Sequence, residues 1–133
     1  MISLRVIPNP HGGYVAETDL AHQHLGLWLD EIQEGGDSYD IEGLWHQIGA
    51  HTRLERPPIS QTINELNVHV DHTRVTITIC VFRSSIVLEL AELAEVTERW
   101  FDVVAPPVAA SLRRIRASWK TSHTATSSAA RRQ

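Results

Sequence analysis

The sequence lacks several features that identify protein classes. Cys80 is the only cysteine, so no disulfide framework can form within one chain. No stretch of 18 apolar residues is available to span a membrane, and the first residues contain no apolar run typical of a secretory signal. We therefore expect a cytoplasmic protein without a membrane partner. Because Cys80 lies in the apolar run Val75–Phe82, we expect it to be a buried, unreactive side chain.

Motifs of common enzyme classes are also missing. The chain has no Gly-x-Ser-x-Gly nucleophile elbow. Gly12-Gly13 lacks the Lys and Ser or Thr of a phosphate-binding loop, and Gly35-Gly36 follows a predicted helix instead of preceding one. We expect no cofactor, and a non-enzymatic function is favoured over catalysis.

Charge is unevenly distributed along the 133 residues, although the net charge is only −4. Residues 1–105 carry all 16 acids and 6 arginines, a net charge of −10. Residues 106–133 carry 5 arginines, Lys120 and no acid, a net charge of +6. The two parts of the chain therefore favour partners of opposite charge.

Length and periodicity predict one α+β domain over residues 1–120, followed by a disordered basic tail over 121–133. The predicted fold is an antiparallel sheet, built from an N-terminal hairpin and a central meander, with helices packed on one face. The predicted strands cover residues 2–7, 14–17, 66–70 and 75–81. The first predicted helix begins after Thr18 and ends at Gly35-Gly36, and three further helices are predicted over residues 38–51, 93–104 and 108–119.

The segment Ile86–Leu90 fits two structures. It is either a third strand of the meander or the start of a helix capped by Ser84 or Ser85. A Ser-Ser pair between two β-rich runs is typical of a tight connection, which favours the strand.

Acidic residues concentrate between positions 30 and 42, where no lysine or arginine occurs. Aromatic residues flank or interrupt this run. We predict a surface that binds a basic protein partner, because aromatic anchors supply binding energy and charge steers the encounter. An immunity-like or antitoxin-like role is its most concrete form, by analogy of size, charge and architecture. The alternative is a solvated helix end with inward-pointing aromatics. The predicted partner-binding residues are Trp28, Asp30, Glu31, Glu34, Asp37, Tyr39, Asp40, Glu42 and Trp45.

The basic C-terminal helix has competing interpretations. Arg113, Arg114, Arg116 and Lys120 lie opposite its apolar stripe. They form either the phosphate-binding surface of a small nucleic-acid-associated regulator or a docking surface for the chain's own acidic body or for a second copy of the chain. Docking within the fold or in a homodimer is preferred slightly, since the body at −10 repels nucleic acid.

Two further clusters remain. His69, Asp71 and His72 meet at a strand end and are a weak candidate for a metal site, because a site needs three or four ligands at defined geometry. No cofactor or metal is predicted from them. Glu89, Glu92, Glu95 and Glu98 recur every three residues, a pattern we interpret as a solvated helix face.

Overall fold

The computed structural model describes residues 2–34, 39–54 and 56–132, and for residues 34, 54 and 120–132 it describes the backbone alone. The strands are β1 (Leu4–Pro8), β2 (Tyr14–Thr18), β3 (Ile59–Ile63), β4 (Leu66–Asp71), β5 (Arg74–Ile79) and β6 (Ser84–Glu89). The helices are α1 (Gln23–Glu34), α2 (Ile41–Leu54), α3 (Leu90–Val104) and α4 (Pro106–Arg132).

The fold is α+β, as the sequence predicts. Strands β1 and β2 form an N-terminal antiparallel hairpin, and β3–β4–β5–β6 form an antiparallel meander in chain order. The hairpin closes through Gly12 and Gly13, which have φ angles of +108° and +73°. Only glycine adopts such angles at low cost, so this turn follows directly from the sequence.

The meander buries one face. Alternate residues such as Val68, Val70, Val75 and Ile77 are at most 1% exposed, whereas the intervening residues are half-buried or exposed. Because this alternation gives the sheet one apolar face, the helices pack against that face. The core formed there is a single cluster of buried apolar residues that runs from Ile2 to Ile115 along the chain.

Helix α3 follows β6 without a loop. Glu89 ends the strand and forms a capping box with Glu92, which satisfies backbone N–H groups at the helix start. The strand interpretation of Ile86–Leu90 is confirmed as far as Glu89, and Leu90 already belongs to α3.

Three local predictions were wrong. Strand β3 was not predicted, since its five residues follow Pro57-Pro58 and contain only two apolar side chains. Thr18 does not cap α1, because it ends β2 and a short 3₁₀ turn precedes the helix. The predicted strand over 75–81 ends at Ile79, and Cys80 begins a 3₁₀ turn in which it is exposed.

Helix α4 packs through the apolar stripe predicted for it. Leu112 is fully buried and Ile115 is 9% exposed, while Val108 and Trp119 are half-buried. The backbone is helical as far as Arg132, across the segment predicted as a disordered tail. Side chains from Lys120 onward lie outside the described part of the chain, and the tail stays a prediction.

Candidate functional site

The predicted acidic surface lies around the connection between α1 and α2. We call the described acids that flank this connection, Asp30, Glu31, Asp40 and Glu42, the acidic junction. Asp37 lies outside the described residues, as does the side chain of Glu34. All four members of the acidic junction are half-buried or exposed.

Several of these acids also have a structural task. The Asp30 carboxylate accepts the Ala16 backbone N–H at 2.8 Å, which joins α1 to β2. Asp40 accepts the Gly43 N–H at 2.8 Å at the start of α2, as an N-cap residue does. Glu31 accepts a hydrogen bond from the Asn64 side chain in the β3–β4 turn.

The aromatic residues of the predicted surface are mostly internal. Trp28 is 1% exposed and Trp45 is 0% exposed, so both are core residues and neither is accessible to a partner. Their prediction as surface anchors was wrong, because each also lies on the apolar face of its helix. Tyr39 is half-buried and its hydroxyl donates to Gln61 at 3.1 Å, and burial raises its pKa to about 12.

The described basic residues of α4 do not form one continuous exposed surface, because two of them pair with acids of α3. The guanidinium of Arg113 forms two parallel bonds of 2.6 Å to the Asp102 carboxylate on α3. Arg116 Nε forms an ion pair with Glu98 Oε2 at 2.9 Å. Arg114 is exposed, and the Lys120 side chain lies outside the described residues.

Glu98 is the residue that sequence reasoning placed most wrongly. Its position in a row of acids predicted a solvated face, but it is 1% exposed. Burial raises the pKa of its carboxyl group, and the nearby Arg116 and Arg113 oppose that rise. The signal available in the sequence was the spacing of Glu98 from Ala94 and Phe101, which lie on the same face of the helix four residues before it and three residues after it and are both core residues.

A different histidine cluster forms from the one predicted. The described residues that could hold a metal together are His51, Asp71 and His72, whose ligand atoms all lie within 4.8 Å of one another. His69 is not among them, because it lies in mid-strand β4 between Ser60 and Thr76. Sequence spacing could not place His51 there, since it comes from the last turn of α2, twenty residues before Asp71.

A cavity of about 540 Å³ adjoins this cluster. Its lining includes His72 and Thr52, together with Arg116 and Trp119 of α4. Cavities of this size fall within the range of small-ligand sites.

No protein-family model matches the sequence, and no curated protein or solved structure matches it significantly. Within the described residues, no helix combines the length and apolarity that crossing a bilayer requires.

Proposed function

We propose that the protein is a non-enzymatic interaction domain that binds a basic protein partner through the acidic junction. The observation that carries this proposal is the placement of the chain's own cations. Arg113 and Arg116 pair with Asp102 and Glu98 on α3, neither of which is a member of the acidic junction. Among the described side chains, no arginine forms an ion pair with Glu31, Asp40 or Glu42.

Helix stability accounts for only part of this acidic charge. Asp40 and Glu42 stand at the start of α2, where the helix dipole favours acids. Glu31 and Glu34 stand in the last turn of α1, which contains no basic residue and where the dipole disfavours acids. The hydrogen bond that Glu31 accepts from Asn64 offsets part of this cost, and a binding role accounts for acids at a position that the helix dipole disfavours.

Charge, and not aromatic anchoring, is the basis of recognition in this proposal. With Trp28 and Trp45 in the core, the described residues of this surface offer a partner carboxylates and the half-buried Tyr39. Such a surface steers a basic partner and raises its association rate, with a strong dependence on salt. An immunity-like or antitoxin-like role in the cytoplasm, against a basic protein, is its most specific form.

Charge reversal tests the proposal. We would capture partners from the native host with the wild-type chain, with the double variant Glu31→Lys/Glu42→Lys, and with a matched control, Glu17→Lys/Glu95→Lys. The control reverses two exposed acids outside the acidic junction. We expect one basic protein to be retained by wild type and control and lost by the test variant. Equal retention by all three folded proteins, or an acidic partner, would overturn the proposal.

The alternative is a small nucleic-acid-associated regulator that uses Arg113, Arg114, Arg116 and Lys120. It has less support, because Arg113 and Arg116 are already paired with carboxylates of α3. Binding to DNA or RNA that weakens steeply with salt would favour it.

A further inference from the structure

The cluster at the β4–β5 turn joins residues that the protein-binding proposal does not use. His51 lies at the C-terminal end of α2 and is 4% exposed. Asp71 is the last residue of β4 and His72 lies in the turn that follows it, and both are exposed. The rings of His51 and His72 face each other edge-on, with centroids 5.5 Å apart.

The neighbours of His51 fix the state of its ring. Its Nδ1 contacts the carbonyl oxygen of Arg56, which only accepts hydrogen bonds, so Nδ1 carries the proton. Its Nε2 lies 2.9 Å from the backbone nitrogen of His72, which only donates, so Nε2 holds a lone pair. The ring therefore directs the Nε2 lone pair at the turn.

This arrangement matches what a metal requires of a histidine ligand. A ligating imidazole commonly donates its second ring N–H to a carbonyl or carboxylate, which fixes its tautomer and orientation. The His51 ring makes that bond to Arg56. Beside its lone pair lie the Asp71 carboxylate and the His72 ring, whose Nδ1 is 2.6 Å from Asp71 Oδ1.

We propose that His51, Asp71 and His72 bind one zinc ion at the rim of the cavity. Two imidazoles and a carboxylate are a donor set that zinc accepts, whereas calcium and magnesium prefer oxygen ligands. The three ligand atoms all lie within 4.8 Å of one another, and the exposed side chains of Asp71 and His72 can rotate to reach bonds of about 2.0–2.2 Å to one ion.

Binding exchanges one contact at His51. The zinc ion takes the Nε2 lone pair that accepts the His72 N–H in the metal-free protein, so the turn at His72 shifts to release this hydrogen bond. His72 also lines the cavity, so the fourth zinc position opens towards a space that admits water or a small ligand. A site with three protein ligands and one open position is typical of zinc that remains accessible.

Zinc titration of the chelator-treated, full-length protein tests this assignment. We expect binding of one zinc ion per chain by calorimetry, and an increase in melting temperature with zinc concentration. Asp71→Asn and His72→Ala change exposed residues and should each weaken binding at least about tenfold, since even outer-shell substitutions do so. His51→Gln tests the buried ligand, with circular dichroism to establish that the variant is folded.

His69→Ala is the matched control. His69 is two residues from Asp71 but lies outside the cluster, so this variant should bind zinc as the wild type does. The proposal is overturned if the wild type binds no stoichiometric zinc, or if Asp71→Asn and His72→Ala bind it as tightly as the wild type. Loss of binding in His69→Ala with retention in folded His51→Gln would overturn the ligand set.

Discussion

The Nε atom of Arg116 lies 2.9 Å from a carboxylate oxygen of Glu98, a residue that is almost completely buried between α3 and α4. This pair attaches the basic helix to the acidic body from inside the fold. Within the pair, the Glu98 carboxylate is buried, whereas the Arg116 side chain is 37% exposed. The desolvation of Glu98 is therefore the larger cost in this contact.

Glu98 should make stability depend on pH. Because its pKa is raised on folding, protonation stabilises the folded state. This contribution is complete below the ordinary pKa of 4.5 and is lost as the pH rises through the folded pKa. Urea unfolding of wild type and Glu98→Gln between pH 4 and pH 8 measures it. We expect the free energy of unfolding of the wild type to fall relative to that of the variant as pH rises, and a constant difference would contradict this.

The bidentate pair of Arg113 and Asp102 should contribute modestly. Both side chains are 45% exposed, and exposed pairs contribute about 0.2–1 kcal/mol, with ideal geometry towards the upper end. A double-mutant cycle with Arg113→Gln and Asp102→Asn measures the coupling energy. Arg114→Gln with Asp102→Asn is the matched control, because Arg114 is the exposed neighbour of Arg113. If the coupling energy is as large in the control cycle, the measurement reports the overall charge of the protein and not the contact between Arg113 and Asp102.

Gly49 should be required by Trp119. A Cβ atom at position 49 would lie 2.5 Å from Cδ1 of Trp119, whose Nε1 donates to the Trp45 carbonyl at 2.8 Å. We expect Gly49→Ala to lower the free energy of unfolding by about 1–3 kcal/mol, because the indole must move. In a Trp119→Ala background the same change should stabilise by about 0.8–1.0 kcal/mol, since alanine favours helix over glycine. Destabilisation of equal size in both backgrounds would contradict the contact.

Cys80 should react in the folded protein. It is exposed in the 3₁₀ turn after β5, so a thiol reagent should label it at a rate within about tenfold of that in denaturant. Absorbance of the released chromophore measures the rate, and Cys80→Ser gives the background. Labelling that occurs only after unfolding would place the thiol in the core.

Much of the fold was predictable because its signals are local. The glycines of the hairpin turn, the alternation in β4 and β5 and the apolar stripe of α4 each act within a few residues. Strand β3 lacked such a signal, since only Ile59 and Ile63 are apolar in it. Its pairing with β4 is what makes it a strand.

The sites were harder to predict, because their residues come from distant parts of the chain. Sequence grouped His69 with Asp71 and His72 by proximity, and the fold replaced His69 with His51. Trp28 and Trp45 are likewise close to acidic residues in the sequence. The fold leaves those acids at the surface and buries both indoles.

The sequence by itself determined the α+β class, the hairpin, the part of the meander formed by β4, β5 and β6, and the contrast between an acidic body and a basic C-terminal end. Short-range periodicity and composition are sufficient for these properties. Only the tertiary structure decided that Arg113 and Arg116 bind Asp102 and Glu98, and that His51 meets the β4–β5 turn. The physical reason is that charge pairing and burial depend on how helices pack across the core, which no local pattern specifies.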